Sequence, residues 1–134
     1  MKKIFLILTV IVFTASWSFA ADDVFSKIDK NKDGKISKQE YMDAVAGSFD
    51  KQDKNHDGIL TRDELPHMDK KDIDTFSRET DTDKNNKIIK KEFEQAAEKR
   101  FSSMDKNKDG YIDKNEWKAA RSAPNAPGLI IFTF

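Results

Sequence analysis

Residues 105–116 read DKNKDGYIDKNE, with oxygen-bearing side chains at alternate positions. Asp105, Asn107, Asp109 and Asp113 alternate with residues of other kinds, and Glu116 closes the stretch. Three further stretches align with it without gaps: DKNKDGKISKQE (29–40), DKNHDGILTRDE (53–64) and DTDKNNKIIKKE (81–92). Their starts lie 24, 28 and 24 residues apart, the spacing of two duplicated pairs. A fixed-period repeat outweighs any local feature when a sequence is read for architecture.

The flanks repeat too. Phe25, Phe49 and Phe101 stand four residues before three of the loops, and Phe76 is displaced by one before the remaining loop. A large apolar residue follows each closing glutamate: Tyr41, Leu65, Phe93 and Trp117. The eighth loop position is always aliphatic, at Ile36, Leu60, Ile88 and Ile112. Polar loops framed by apolar residues at helical spacing predict helix–loop–helix units and an all-α fold. Tyr41, Val45 and Phe49 share one helical face, as do Phe93, Ala97 and Phe101. Each set predicts one helix that leaves a loop and enters the next. Gly47 weakens the first of these slightly, and Pro66 marks a hinge between the two halves.

The alternation has a chemical reason. A hard cation such as calcium takes six to eight oxygen ligands, roughly 2.3–2.6 Å away. A tight loop offers them when alternate side chains point inward and a carbonyl joins them, as in D-x-[DN]-x-[DN]-G-x5-E. Three of the four stretches match that pattern completely. In the last loop Asp105, Asn107 and Asp109 supply side-chain oxygens, and Tyr111 supplies its carbonyl. Asp113 ligates directly or through water, and Glu116 gives both carboxylate oxygens. Gly110 provides the sharp turn at position six.

In loop one the corresponding set is Asp29, Asn31, Asp33, the Lys35 carbonyl, Ser37 and Glu40. In loop two it is Asp53, Asn55, Asp57, the Ile59 carbonyl, Thr61 and Glu64. Loop three offers Asp81, Asp83, Asn85, the Lys87 carbonyl and Glu92. It has Asn86 where glycine is expected, and Ile89 cannot ligate by its side chain. Loop four, with four carboxylates, is expected to bind tightest and loop three weakest. Lysines at 30, 32, 35, 106 and 108 reduce the local negative potential, which suits affinities of roughly 10⁻⁴ to 10⁻³ M outside the cytosol.

With these residues, the chain resembles EF-hand proteins of the calmodulin-related superfamily, in the compact form common among exported bacterial proteins. The resemblance covers roughly residues 24–120 and implies four EF-hands in two tandem pairs, loops back to back, with Ca2+ as the bound ion. The spacing departs from the familiar one, in which loops start about three dozen residues apart. A twelve-residue helix spans about 18 Å, so an unbroken helix holds loops one and two at opposite ends. Either Gly47-Ser48 bends that helix, or the loops pair across the repeat units.

At 134 residues the chain has room for one domain or two very small ones. Its start, MKKIFLILTVIVFTASWSFA, reads as a signal peptide cleaved between Ala20 and Ala21. The apolar run from Ile4 to Phe13 is short for a membrane span of roughly 20 residues. The expected organisation is therefore a signal peptide (1–20), a first EF-hand pair (21–66), a second (67–121) and a tail (122–134). Without cysteine, neither a lipid-anchored form nor disulfides are available. The expected location is the periplasm or the medium.

Loss of Lys2 and Lys3 changes 24 basic against 24 acidic residues into 22 against 24. No basic stripe speaks for nucleic acid, and no membrane contact is expected after cleavage. High charge and modest aliphatic content suit metal-assisted folding. No enzyme is expected: cysteine, G-x-S-x-G and a Gly-rich phosphate loop are missing, and the carboxylates are already assigned to metal. His56 and His67 read as surface residues.

Two roles follow from calcium binding. One is a buffer or calcium-stabilised module. The other is a sensor that engages an unidentified protein through an opened apolar groove, with Met42, Met68 and Met104 as adaptable contacts. So few methionines favour the first, in a monomeric or weakly associated chain. The apolar end, Leu129 to Phe134, either packs on the domain or fills such a groove.

Overall fold

The computed structural model describes residues 19–65 and 69–122. The expected signal segment up to residue 18, Pro66, His67, Met68 and the apolar tail lie outside the described residues. The described chain runs α1 (Phe19–Ile28), β1 (Lys35–Ser37), α2 (Lys38–Gln52) and β2 (Ile59–Leu60). After a 3₁₀ turn at Arg62–Glu64 come α3 (Lys70–Thr80), β3 (Ile88–Ile89), α4 (Lys90–Met104), β4 (Tyr111–Asp113) and α5 (Lys114–Ser122). Helix therefore dominates, and the strands are short segments within the polar loops. None of the described helices is long and apolar enough to cross a membrane.

Local chemistry sets where the helices begin. Ser37 caps α2: its hydroxyl accepts from the Glu40 amide, while the Glu40 carboxylate accepts from the Ser37 amide and hydroxyl. This reciprocal box satisfies amides that a helix start leaves without partners. Asp69 does similar work for α3, accepting from Asp72 N–H at 2.9 Å. After loop two no α-helix follows Glu64 directly; the chain makes its 3₁₀ turn, and Arg62 pairs with Asp74 on α3.

Both long helices are continuous over 15 residues, which corresponds to about 22 Å. Gly47 does not interrupt α2. The loops pair across the repeat units instead. β1 runs antiparallel to β4, with Ile36 opposite Ile112, and β2 runs antiparallel to β3, with Leu60 opposite Ile88. Loop one thus joins loop four, and loop two joins loop three. The halves 21–66 and 67–121 are repeats along the chain, but their loops do not pair within each half. The reason is mechanical: each continuous helix carries its two loops to opposite ends.

The core repeats this arrangement. Phe25 meets Trp117 edge-on at 5.9 Å, and Tyr41 meets Phe101 at 5.5 Å, both contacts joining the flanks of loops one and four. At the other end Phe49 meets Phe93 at 5.4 Å, with Phe76 against Phe93 at 6.0 Å. Since Tyr41 and Phe49 both lie on α2, and Phe101 and Phe93 on α4, these helices run antiparallel as the spine of the molecule. The four position-eight aliphatics are all buried, Ile36 and Ile112 at one end and Leu60 and Ile88 at the other.

Candidate metal centre

Each polar loop closes on its own side chains. The first aspartate accepts the amide of position six: Gly34 to Asp29 (3.0 Å), Gly58 to Asp53 (2.9 Å), Asn86 to Asp81 (2.8 Å) and Gly110 to Asp105 (3.0 Å). The third-position side chain accepts the amide of position five, and the fifth that of position seven, at 2.7–3.1 Å. Side-chain oxygens at one, three and five are held inward by main-chain amides rather than left to solvent.

The closing glutamate is the second anchor. In loops one, three and four its Oε1 accepts the amides of positions two and three, and in all four its Oε2 accepts that of position nine. Glu40, Glu64 and Glu92 are buried and Glu116 is half-buried, as are none of the exposed carboxylates at positions three and five. Burial alone raises the Glu40 carboxyl, but the Ser37 amide and hydroxyl, with the Asn31 and Lys30 amides, outweigh it and hold Glu40 below the ordinary glutamate range. Burial is likewise outweighed at Glu64, chiefly by the Thr61 amide and hydroxyl. The Lys54 and Asn55 amides also lower Glu64, yet its Oε1 lacks a partner in hydrogen-bonding geometry.

Position nine, read from sequence as a ligand in loops one, two and four, also takes part in the helix start. The Ser37 and Thr61 hydroxyls donate to the closing glutamate at 2.8 and 2.9 Å, and Asp113 Oδ1 accepts the amides of Asn115 and Glu116. Ile89 in loop three takes no such part beyond its amide.

Two left-handed residues bend every loop. Position six has φ of 86°, 79° and 84° at Gly34, Gly58 and Gly110, and 61° at Asn86, so the asparagine takes up the turn that glycine makes elsewhere. Position four is also left-handed, at Lys32, His56, Lys84 and Lys108, with φ of 56–60°. Sequence reading missed these four, because three of them are lysines, which carry no left-handed signature, and a lone histidine carries only a weak one. His56 is exposed, as expected.

The donor set fits a divalent cation. It consists of oxygens, which suit calcium better than a soft metal. Asp29 Oδ1 and Glu64 Oε1 are buried without hydrogen-bond partners, a costly state that a cation would relieve. In loop three, carboxylate oxygens of Asp81, Asp83 and Glu92 all lie within 4.8 Å of one another. Two ligands across an ion at about 2.4 Å are separated by about 4.8 Å at most, so these three can share one centre. The loop expected to bind weakest is the one whose carboxylates converge this closely.

Asp109 in loop four carries a different feature. The Tyr111 amide, opposed by desolvation and helped by the Lys35 ammonium and the Asn107 amide, holds its carboxyl below the usual range. Lys35 belongs to loop one, and its Nζ lies 3.4 Å from Asp109 Oδ2.

A family model described as EF hand matches residues 21–46 and 98–119, and one described as EF-hand domain pair matches residues 56–100. The pair match spans most of loop two and all of loop three, which the strands join; the single matches contain loops one and four. Comparison with curated proteins gave no match. On these matches, and with loops whose oxygens are held by main-chain amides, the chain belongs to the EF-hand calcium-binding family.

Proposed function

We propose that the protein is exported, binds calcium through all four loops, and acts as a calcium buffer or calcium-stabilised module. The observation that carries this reading is the pairing of buried carboxylates with a closed core. In each loop the first aspartate is buried, the closing glutamate is buried or half-buried, and both accept main-chain amides of the loop. Bound calcium supplies the positive charge that such a cluster requires. Asp29, Asp53, Asp81 and Asp105 would anchor the ion at one side. Glu40, Glu64, Glu92 and Glu116 would close it from the other, with the side chains at positions three and five and the position-seven carbonyl between them.

The small number of methionines, with Met42 and Met104 packed against the core, favours a buffer or structural role over a sensor. Among the described residues, the most exposed large apolar side chains are Ile89 and Tyr111, both in loops, and each 41 % exposed. Met42 and Met104 pack against the core. A sensor would open an apolar groove on binding calcium, which a titration can read. Catalysis is not part of this reading, since the carboxylates serve the loops.

A calcium titration followed by far-UV circular dichroism and ANS fluorescence tests it. Rising helicity with flat or falling ANS signal is the expected result. A joint rise would favour the sensor role, and no response to millimolar calcium would overturn calcium binding.

A further inference from the structure

Lys35 takes part in two loops at once. Its backbone is the seventh position of loop one, whose carbonyl falls to that loop's ligand set. Its ammonium crosses the ladder, where Lys35 stands opposite Asp113, and reaches loop four. There Nζ lies 3.4 Å from Asp109 Oδ2 and 5.3 Å from the centre of the Tyr111 ring. The ion pairs described elsewhere join Lys30 to Asp43, Lys38 to Glu98, Lys90 to Asp50, Arg62 to Asp74 and Arg100 to Glu79. None of those carboxylates belongs to a loop.

We propose that Lys35 sets the affinity of loop four from loop one: its ammonium holds Asp109 as a tethered competitor that an arriving divalent cation must displace. This deepens the calcium reading and rests on it. Asp109 is the fifth position of loop four, and a carboxylate that pairs with an ammonium must give up that partner, or share it, to ligate a cation. The competitor is never diluted, because the β1–β4 ladder keeps it in reach. An ion in loop one fixes the backbone from which the ammonium extends, so the two loops oppose each other through one residue. In the other loop pair, position seven of loop two is Ile59, which faces Ile89 and has no charge to offer, and position seven of loop three is Lys87, for which no ion pair is described. Loop four has the most carboxylates, and Lys35 restrains the affinity they would otherwise give.

The test is a terbium titration of the full chain at low salt, followed by emission sensitised through Tyr111, with calcium displacing the bound terbium. Glu116→Gln assigns the signal to loop four by abolishing it. Lys35→Gln is expected to tighten loop four by about two- to five-fold, the upper part of the range of an exposed ion pair. That gain should shrink in about 0.5 M KCl, where such pairs are screened. Lys35→Arg, which keeps the charge, should stay near the parent. Lys32→Gln removes a lysine from the same loop for which no ion pair is described, and should change loop four clearly less. The proposal is overturned if Lys35→Gln leaves loop four unchanged, or if Lys32→Gln tightens it equally. Either result would leave calcium binding standing. Failure of the parent to bind terbium or calcium would overturn both readings.

Discussion

The ring of Tyr41, just past loop one, packs 5.5 Å from that of Phe101, which precedes loop four, at an interplanar angle of 59°. The two residues are sixty positions apart and sit on the two antiparallel long helices, so one contact binds the first repeat to the last. Phe101→Ala is expected to cost about 3–5 kcal/mol, since it empties a buried aromatic site. Because the core is contiguous from loop one to loop three, the loss should appear in one cooperative urea transition measured with calcium present. Two separated transitions would show instead that the ends fold independently.

Gly47 offers the opposite prediction. It lies exposed inside α2, and an added Cβ would meet no atom within 4 Å. Gly47→Ala should therefore raise stability by about 0.5–1 kcal/mol, by removing backbone freedom from the unfolded chain. A loss of stability would mean that the helix needs to flex at this point.

Much of this arrangement is legible in the sequence, and what is not has a physical cause. Ile36, Leu60, Ile88 and Ile112 announce themselves by period, and all four are buried. So do Tyr41, Val45 and Phe49 on α2. Loop pairing was undetermined because both a bent and a straight α2 fit the same apolar spacing; only the continuity of the helix decides between them. The left-handed backbone at Lys32, His56, Lys84 and Lys108 is imposed by loop closure, not by residue preference. The Lys35–Asp109 contact depends on strand register across 74 positions, which no local pattern encodes.

Acid should weaken the metal-free protein through two glutamates. Glu40 and Glu64 have folded pKa values below the ordinary one, so they bind protons less readily folded than unfolded. Their contribution is present above the unfolded value, roughly 4.3, and is lost as pH falls through the lower folded values. A Glu40→Gln, Glu64→Gln variant should lose less stability than the parent between neutrality and about pH 3. Thermal unfolding in EDTA across that range measures it, and parallel losses in both proteins would remove these two residues from the account.

The Tyr41 phenol shifts at the other extreme. Burial pushes it up to about 12, opposed by the nearby Arg100 charge. The folded chain therefore keeps this phenol protonated where the unfolded chain has begun to ionise. Its contribution is complete below about pH 10 and declines as pH rises from there. The chain has two tyrosines, so Tyr111→Phe leaves Tyr41 as the sole reporter of phenolate absorbance. In that variant absorbance should appear near pH 12, or earlier only together with loss of helicity; ionisation near pH 10 in a folded chain would contradict the burial.

Loop three provides the sharpest test of how well ligand chemistry ranks the sites. Its sequence has two handicaps, Asn86 at the turn and Ile89 at position nine, yet its geometry is closed. Asn86 takes φ of 61° and donates its amide to Asp81 Oδ2 at 2.8 Å, and the Asp81, Asp83 and Glu92 carboxylates converge within 4.8 Å. Asparagine enters the left-handed region at a cost that glycine avoids. Asn86→Gly should therefore tighten this loop by about two- to five-fold, a gain of about 0.4–1 kcal/mol partly offset by added freedom in the unfolded chain. Glu92→Gln should remove one ion from the calorimetric stoichiometry, because it takes away the carboxylate that closes the loop. If the stoichiometry is unchanged, loop three does not bind, and the convergence of its carboxylates reflects only the amides that hold them.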